Sequence, residues 1–273
     1  MIRCLITMST LVELAVYILA IIIISLIGGA LPYLRKWSSS NLHYFVAISA
    51  GVFIGASFLI LIPEAINTIL EEGGDPHDAI SSALMWVMIG FVVLLMIEII
   101  IKERHEKKCH NHTNEHKHKL TSMAAFTGLG IHSAVDGLAL GAAIVASEYN
   151  SELGAVVFIA ILAHKAIDLF SLSTTFCLAD IPRKQGLINV ALFSLITPIA
   201  AIASYFVVDL VEAAPIGILM ALAGGTFTFV GIYDLLPEAF HEKHSNYKSY
   251  ALVVIGILLI FIINMLTGEA HTH

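Results

Sequence analysis

Apolar residues recur along this chain in runs of about twenty, long enough to cross a bilayer and too continuous for half-buried soluble helices. The runs fall at about residues 11–33, 43–69, 80–101, 120–147, 153–179, 186–209, 214–240 and 248–267. A lipid-facing backbone must satisfy its own hydrogen bonds, so each run is predicted to be a helix. Eight such spans leave no room for a large soluble domain. The expected fold is an all-α polytopic membrane protein, with one transmembrane domain over residues 1–273. The first run, Leu11 to Leu31, follows a weakly basic start, as a signal peptide would. It is longer than the roughly 7–15 residues of a signal core and is read as a true span.

The polar positions between the runs orient them. Loops one, three, five and seven carry Arg35 and Lys36; Lys102, Arg104, Lys107, Lys108, Lys117 and Lys119; Arg183 and Lys184; Lys243 and Lys248. That is twelve of the fourteen basic residues, and the even-numbered loops carry none. The positive-inside rule then puts the odd loops in the cytoplasm and both termini outside. Of the other two, Arg3 lies near the start and Lys165 within the fifth span. The outer loops are acidic instead, with Glu71, Glu72, Asp75 and Asp78, then Glu148 and Glu152, then Asp209 and Glu212. A negative outer face raises the local cation concentration, although ordinary solvated loop ends account for any one of these residues.

Composition agrees with the pattern. The chain is 58% hydrophobic and 13% charged, against about 25% charged in soluble domains. Cys4, Cys109 and Cys177 are too sparse for a disulfide framework. The net charge is -7. The lipid bilayer is the expected partner, with no nucleic acid, and a homodimer is a candidate assembly.

Two stretches repeat. "AGVFIGASFLILIPEAI" (50–66) and "GGTFTFVGIYDLLPEAF" (224–240) align without gaps. They share Gly51/Gly225, Phe53/Phe227, Leu61/Leu235 and the Pro-Glu-Ala of 63–65 and 237–239. They fall in spans two and seven, which cross the membrane in opposite directions. This is the mark of an inverted repeat, with spans one to three matched to six to eight and spans four and five inserted between them. Chance likeness of two greasy helices is the competing explanation, but a shared Pro-Glu is costly in lipid and argues against it.

The inserted pair carries the chemistry. Span four contains "HSAVDGLALGAA" (132–143) and span five contains "HKAIDLFSLST" (164–174). Residues four apart share one helix face, so His132 projects with Asp136 and His164 with Asp168. An aspartate at a membrane centre costs about 2.5–3.5 kcal/mol on insertion scales and needs a partner. Two imidazoles and two carboxylates from facing helices suit a tetrahedral Zn²⁺, and suit Fe²⁺, Mn²⁺ or Cd²⁺ less comfortably. Ser133 is placed to add a hydroxyl or hold water behind the ligands, and Gly137 and Gly141 allow close helix approach. A metal-free hydrogen-bonded network is the alternative, and two matched pairs on consecutive helices favour metal over it. Lys165 either repels a second ion, pairs with Asp168 or faces a cavity.

The third loop, "KERHEKKCHNHTNEHKHK" (102–119), carries His105, Cys109, His110, His112, His116 and His118. Such tracts read as weak, exchangeable metal binding without defined geometry. Pro63 and Pro237 each free a backbone carbonyl one turn earlier, which makes Glu64, Asp234 and Glu238 candidates for a metal entrance and exit.

These features together resemble the ZIP (Zrt-, Irt-like protein) family of divalent metal transporters. The likeness covers nearly the whole chain: eight spans, a histidine-rich loop after span three, the span-four motif, "HKAIDLF" and the "LIPEA" that ends span two. It implies a transporter rather than an enzyme, in the cell membrane, carrying metal toward the cytoplasm. It places the transport-site ligands at His132, Asp136, His164 and Asp168. It further implies an elevator-like movement of a central bundle against a scaffold that includes spans two and seven. Three positions depart from the family pattern. Ser133 stands where many members have Asn, and Lys165 where many have an acidic residue; both argue against a second, adjacent metal site. Ile167 stands where several have proline, which implies a straighter fifth helix. The competing functional readings are an intramembrane zinc-dependent hydrolase and a proton-coupled carrier using the His/Asp pairs as a relay.

Overall fold

The computed structural model describes residues 2–71, 73, 75–106, 114–146, 153–208, 216–240 and 246–268. Among these residues there is no strand. Eight helices are long and apolar enough to cross a membrane: α1 (Thr10–Tyr33), α2 (Ser39–Glu71), α3 (Pro76–Glu103), α4 (Ala125–Ala146), α5 (Leu153–Leu178), α6 (Arg183–Val207), α7 (Ile216–Ala239) and α8 (Tyr247–Met265). The segment 102–119 is less of a loop than its polarity suggests. Helix continues from α3 to Glu106, and the helix containing α4 begins at Asn114. His105 thus lies in a last helical turn, and His116 and His118 in the first two turns of the next helix. Cys109, His110 and His112 lie outside the described residues.

Local chemistry sets the ends. Ser38 is extended (φ -70°, ψ 155°), and its hydroxyl accepts from the Asn41 N–H at 3.3 Å, capping α2. Asp75 accepts from the His77 N–H at 2.9 Å, with Pro76 opening α3. α5 ends at Leu178, and two residues on Asp180 has a φ of 51°, the left-handed turn that follows a helix C-terminus.

The two repeated Pro-Glu segments share a backbone irregularity. A π-turn covers Ser57–Leu61 ahead of Pro63, and another covers Val230–Leu235 ahead of Pro237. Proline offers no N–H and crowds the carbonyl four residues earlier, and a widened turn absorbs both defects without ending the helix. α6 meets the same problem differently. It divides into Arg183–Phe193 and Ile196–Val208 at Ser194 and Leu195, the residues four and three before Pro198. Hydropathy alone shows one unbroken span there, because the residues on both sides of the break are apolar.

Burial separates inner from outer helices. In the most apolar stretches of α7, α2 and α4, 72%, 67% and 61% of residues are buried, against 17% in α3 and 22% in α8. α2 and α7 are therefore as central as the His/Asp helices. Close packing uses glycine where backbones touch. Gly51 of α2 sits on the Val253 carbonyl of α8, and Gly256 of α8 sits on Ile48 of α2. At the matched places Gly225 of α7 sits on the Val87 carbonyl of α3, and Gly90 of α3 sits on Leu222 of α7. Phe53 and Phe227, aligned in the two similar segments, stack on each other at 4.4 Å. Gly137 and Gly141 do bring a helix close, but it is α6, through the carbonyls of Thr197 and Ala201.

Candidate metal centre

Helical periodicity puts His132 and Asp136 on one face of α4, and His164 and Asp168 on one face of α5. The fold turns these faces toward each other. One donor atom from each of the four side chains lies within 4.8 Å of all the others, and all four residues are buried. Asp136 is the hub. Its Oδ2 lies 3.1 Å from His132 Nε2, 3.3 Å from His164 Nε2 and 3.3 Å from Lys165 Nζ. The carboxylate of Asp168 has no hydrogen-bond partner on either oxygen, and Lys165 Nζ stands 3.5 Å from Oδ2. His164 Nδ1 and His132 Nε2 also lack hydrogen-bond partners. Buried polar atoms are ordinarily satisfied, so unpartnered atoms on three of the four clustered residues mark a site built for something else to fill.

Lys165 is fully built into this centre. Its ammonium donates to Ser133 Oγ at 2.9 Å and to Asp136 Oδ2 at 3.3 Å. It thus stands beside both carboxylates, where pairing with Asp168 was one of three expectations from the sequence. Ser133 accepts from the lysine and is held in place by Thr197 of α6, whose hydroxyl donates to the Ser133 carbonyl at 2.9 Å. Ser133 is therefore committed to Lys165 in this arrangement.

α7 supplies a back wall that the His/Asp spacing did not reveal. Thr226 Oγ1 donates to the Ala223 carbonyl at 2.7 Å and lies 3.1 Å from His132 Nδ1. With its one hydrogen so used, the hydroxyl accepts from a protonated Nδ1, which leaves Nε2 of His132 with a free lone pair toward Asp136. Phe227 closes the site from the same side, its ring 3.8 Å from that of His132 and 4.9 Å from that of His164. The sequence signal for Thr226 is weak: one of two threonines, with Thr228, in an apolar segment after Gly225. α5 runs unbroken from Leu153 to Leu178, with Ile167 inside it.

The other candidates lie elsewhere. Glu64 is half-buried on α2, and its carbonyl accepts from the Thr68 hydroxyl at 2.9 Å. Glu238 is buried at the end of α7, 3.6 Å from His43 Nε2 of α2. Asp234 is buried, and its Oδ2 has no hydrogen-bond partner. Glu98, which carried no expectation, is also buried and pairs with Lys102 one turn on. None of these four joins the His/Asp cluster.

The ZIP zinc transporter family profile matches residues 11–125 and 102–264, nearly the whole chain. A zinc transporter ZIP9 of Xenopus tropicalis is 25% identical over 298 residues, covering 93% of this chain and 96% of its own. The ZIP9 of Micropogonias undulatus is 25% identical over 299 residues, covering 90% and 94%. A zinc transporter ZIP1 of Takifugu rubripes is 26% identical over 290 residues, covering 89% and 93%. With eight apolar spans and a buried His/Asp cluster suited to a metal ion, the chain belongs to the ZIP zinc transporter family, whose members move divalent metal across membranes and are not enzymes.

Proposed function

We propose that this protein carries Zn²⁺ across the cell membrane toward the cytoplasm, with His132, Asp136, His164 and Asp168 as the ligands of the transported ion. The observation that carries the reading is the convergence of those four donors, buried, from two facing helices. Two imidazoles and two carboxylates match the ligand number and type that Zn²⁺ prefers, and Fe²⁺, Mn²⁺ and Cd²⁺ are lesser candidates. The inward direction rests on the family and on the basic odd-numbered loops, which favour a cytoplasmic position with both termini outside.

Lys165 gives the carrier a charge logic. Two bare carboxylates in a buried site repel each other and cost several kcal/mol each in lost hydration. The Lys165 ammonium offsets one of them when no ion is present, so an empty site carries about one net negative charge rather than two. A divalent ion entering then meets enough negative charge to bind and enough positive charge to leave again. The same ammonium takes the space beside the first ion, which favours a single metal site.

Alternating access by an inverted repeat is supported by the matched glycine contacts of α2 with α8 and α7 with α3, and by the two π-turns. In the proposed step α4 and α5 move as a unit against α2 and α7, in the manner of an elevator. Each protomer holds a whole site, so a homodimer would carry two independent ones. Glu64 on one side and Asp234 with Glu238 on the other are the proposed entrance and exit, and the histidine tract 102–119 a weak cytoplasmic acceptor. Purified protein in proteoliposomes is expected to show saturable Zn²⁺ uptake, reduced most by Cd²⁺ and least by Mn²⁺. Absence of saturable flux from folded wild-type protein would refute the proposal.

A further inference from the structure

A cavity of about 530 Å³ opens at the end of the bundle where α1 passes into α2 and α5 into α6. That volume lies within the roughly 300–1,000 Å³ of ordinary ligand pockets. The His/Asp centre contributes nothing to its walls. Three cations line it, Arg35, Lys36 and Arg183, against one carboxylate, Asp180. The excess positive charge is concentrated where two separate loops meet.

Other features of the cavity suit an anion. Trp37 lines it, and the indole N–H is buried without a hydrogen-bond partner. The Trp37 ring is fixed edge-on to Phe45 at 4.9 Å, and the Arg35 guanidinium lies 5.7 Å from its centroid. The segment Arg183–Phe193 begins at the cavity with Pro182 as its N-cap and no capping side chain, so its first N–H groups have no side-chain acceptor. The competing negative end of α5 is already closed, because the Ile181 N–H donates back to the Phe176 carbonyl at 3.0 Å.

The position selects the kind of anion. Leu34, also in the wall, is 70% exposed immediately past the end of α1, an apolar side chain at the edge of a membrane-crossing helix. A tryptophan beside basic side chains at a helix end belongs to the headgroup layer of a bilayer. Basic pockets between spans at this depth recognise anionic headgroups. We infer that this cavity binds the phosphate headgroup of an anionic phospholipid in the leaflet on the basic side of the protein. The phosphate would meet Arg35, Lys36 and Arg183 while the glycerol end lies along Leu34 and Trp37. The inference does not depend on which metal is carried or in which direction.

The test uses the full chain purified in neutral detergent, with phosphatidylglycerol or phosphatidylcholine added to the micelles. Lipid retention is read by native mass spectrometry and thermal unfolding in parallel. Phosphatidylglycerol is expected to be retained at least tenfold more tightly than phosphatidylcholine and to raise the unfolding temperature. The variant R35Q/K36Q/R183Q should lose that preference, while Lys248→Gln, exposed and outside the cavity, should keep it. Should the triple variant fail to fold, Arg183→Gln alone is expected to lower the preference at least threefold. Equal retention of the two lipids, or a preference that survives the arginine and lysine changes, would overturn the inference. Inorganic phosphate should neither stabilise the protein nor displace the lipid; if it does both, the site is one for free phosphate and the lipid assignment fails.

Discussion

The Nδ1 of His132 on α4 lies 3.1 Å from the hydroxyl of Thr226 on α7. This contact couples a proposed transport ligand to a helix outside the His/Asp pair, and it selects the imidazole nitrogen that is left free. Groups that orient a metal-binding histidine in this way are commonly worth about 10–100-fold in metal affinity.

Thr226→Val keeps the shape and removes the acceptor. Zn²⁺ affinity is expected to fall about 10–100-fold, measured by equilibrium binding to purified protein, while Thr226→Ser stays near wild type. Equal affinity in the valine and serine variants would show that the hydroxyl only fills space.

Lys165→Met tests the charge logic. Removing the ammonium lifts its repulsion of the entering cation, so equilibrium Zn²⁺ affinity should rise about tenfold, or about 1.4 kcal/mol. Turnover should fall by a similar factor, because the ion leaves less readily and the emptied site holds two uncompensated carboxylates. Uptake kinetics in proteoliposomes then show a lower KM together with a lower maximal rate. A variant with weaker binding would mean that Lys165 serves mainly to hold Asp136 and Asp168 in place.

Gly225 sits against the Val87 carbonyl and Gly51 against the Val253 carbonyl, leaving no space for a methyl group at either position. Gly225→Ala and Gly51→Ala should each destabilise the folded protein by about 1–3 kcal/mol through overpacking. The two losses should be alike if α2 and α7 are equivalent halves of a repeat. Thermal unfolding in detergent reads both, and a loss confined to one variant would weaken the repeat.

The eight spans and the four clustered side chains are legible in the sequence for one reason. Charge is so costly in lipid that most charged positions sort into loops, span ends or a site, and His132, Asp136, His164 and Asp168, deep in two facing spans, had few other roles open to them. What was illegible depends on contacts between distant spans. Nothing local marks Gly137 and Gly141 for α6 rather than α5, or Thr226 for His132. The prolines announce a disturbance, yet whether the helix answers with a π-turn, as before Pro63 and Pro237, or with a break, as before Pro198, depends on what packs around it. Lys165 belongs to both groups. Its presence was plain, but its bridging of Asp136, Asp168 and Ser133 needed the facing helix.

In the proposed mechanism the transported metal is held by the intramembrane cluster and not by the histidine tract. Calorimetric Zn²⁺ titration of the purified protein with His105, His110, His112, His116 and His118 all changed to alanine separates the two. One zinc per chain should still bind, and that binding should disappear when Asp136→Asn or His164→Ala is added. Binding that vanishes with the five loop histidines and survives both intramembrane changes would contradict the account.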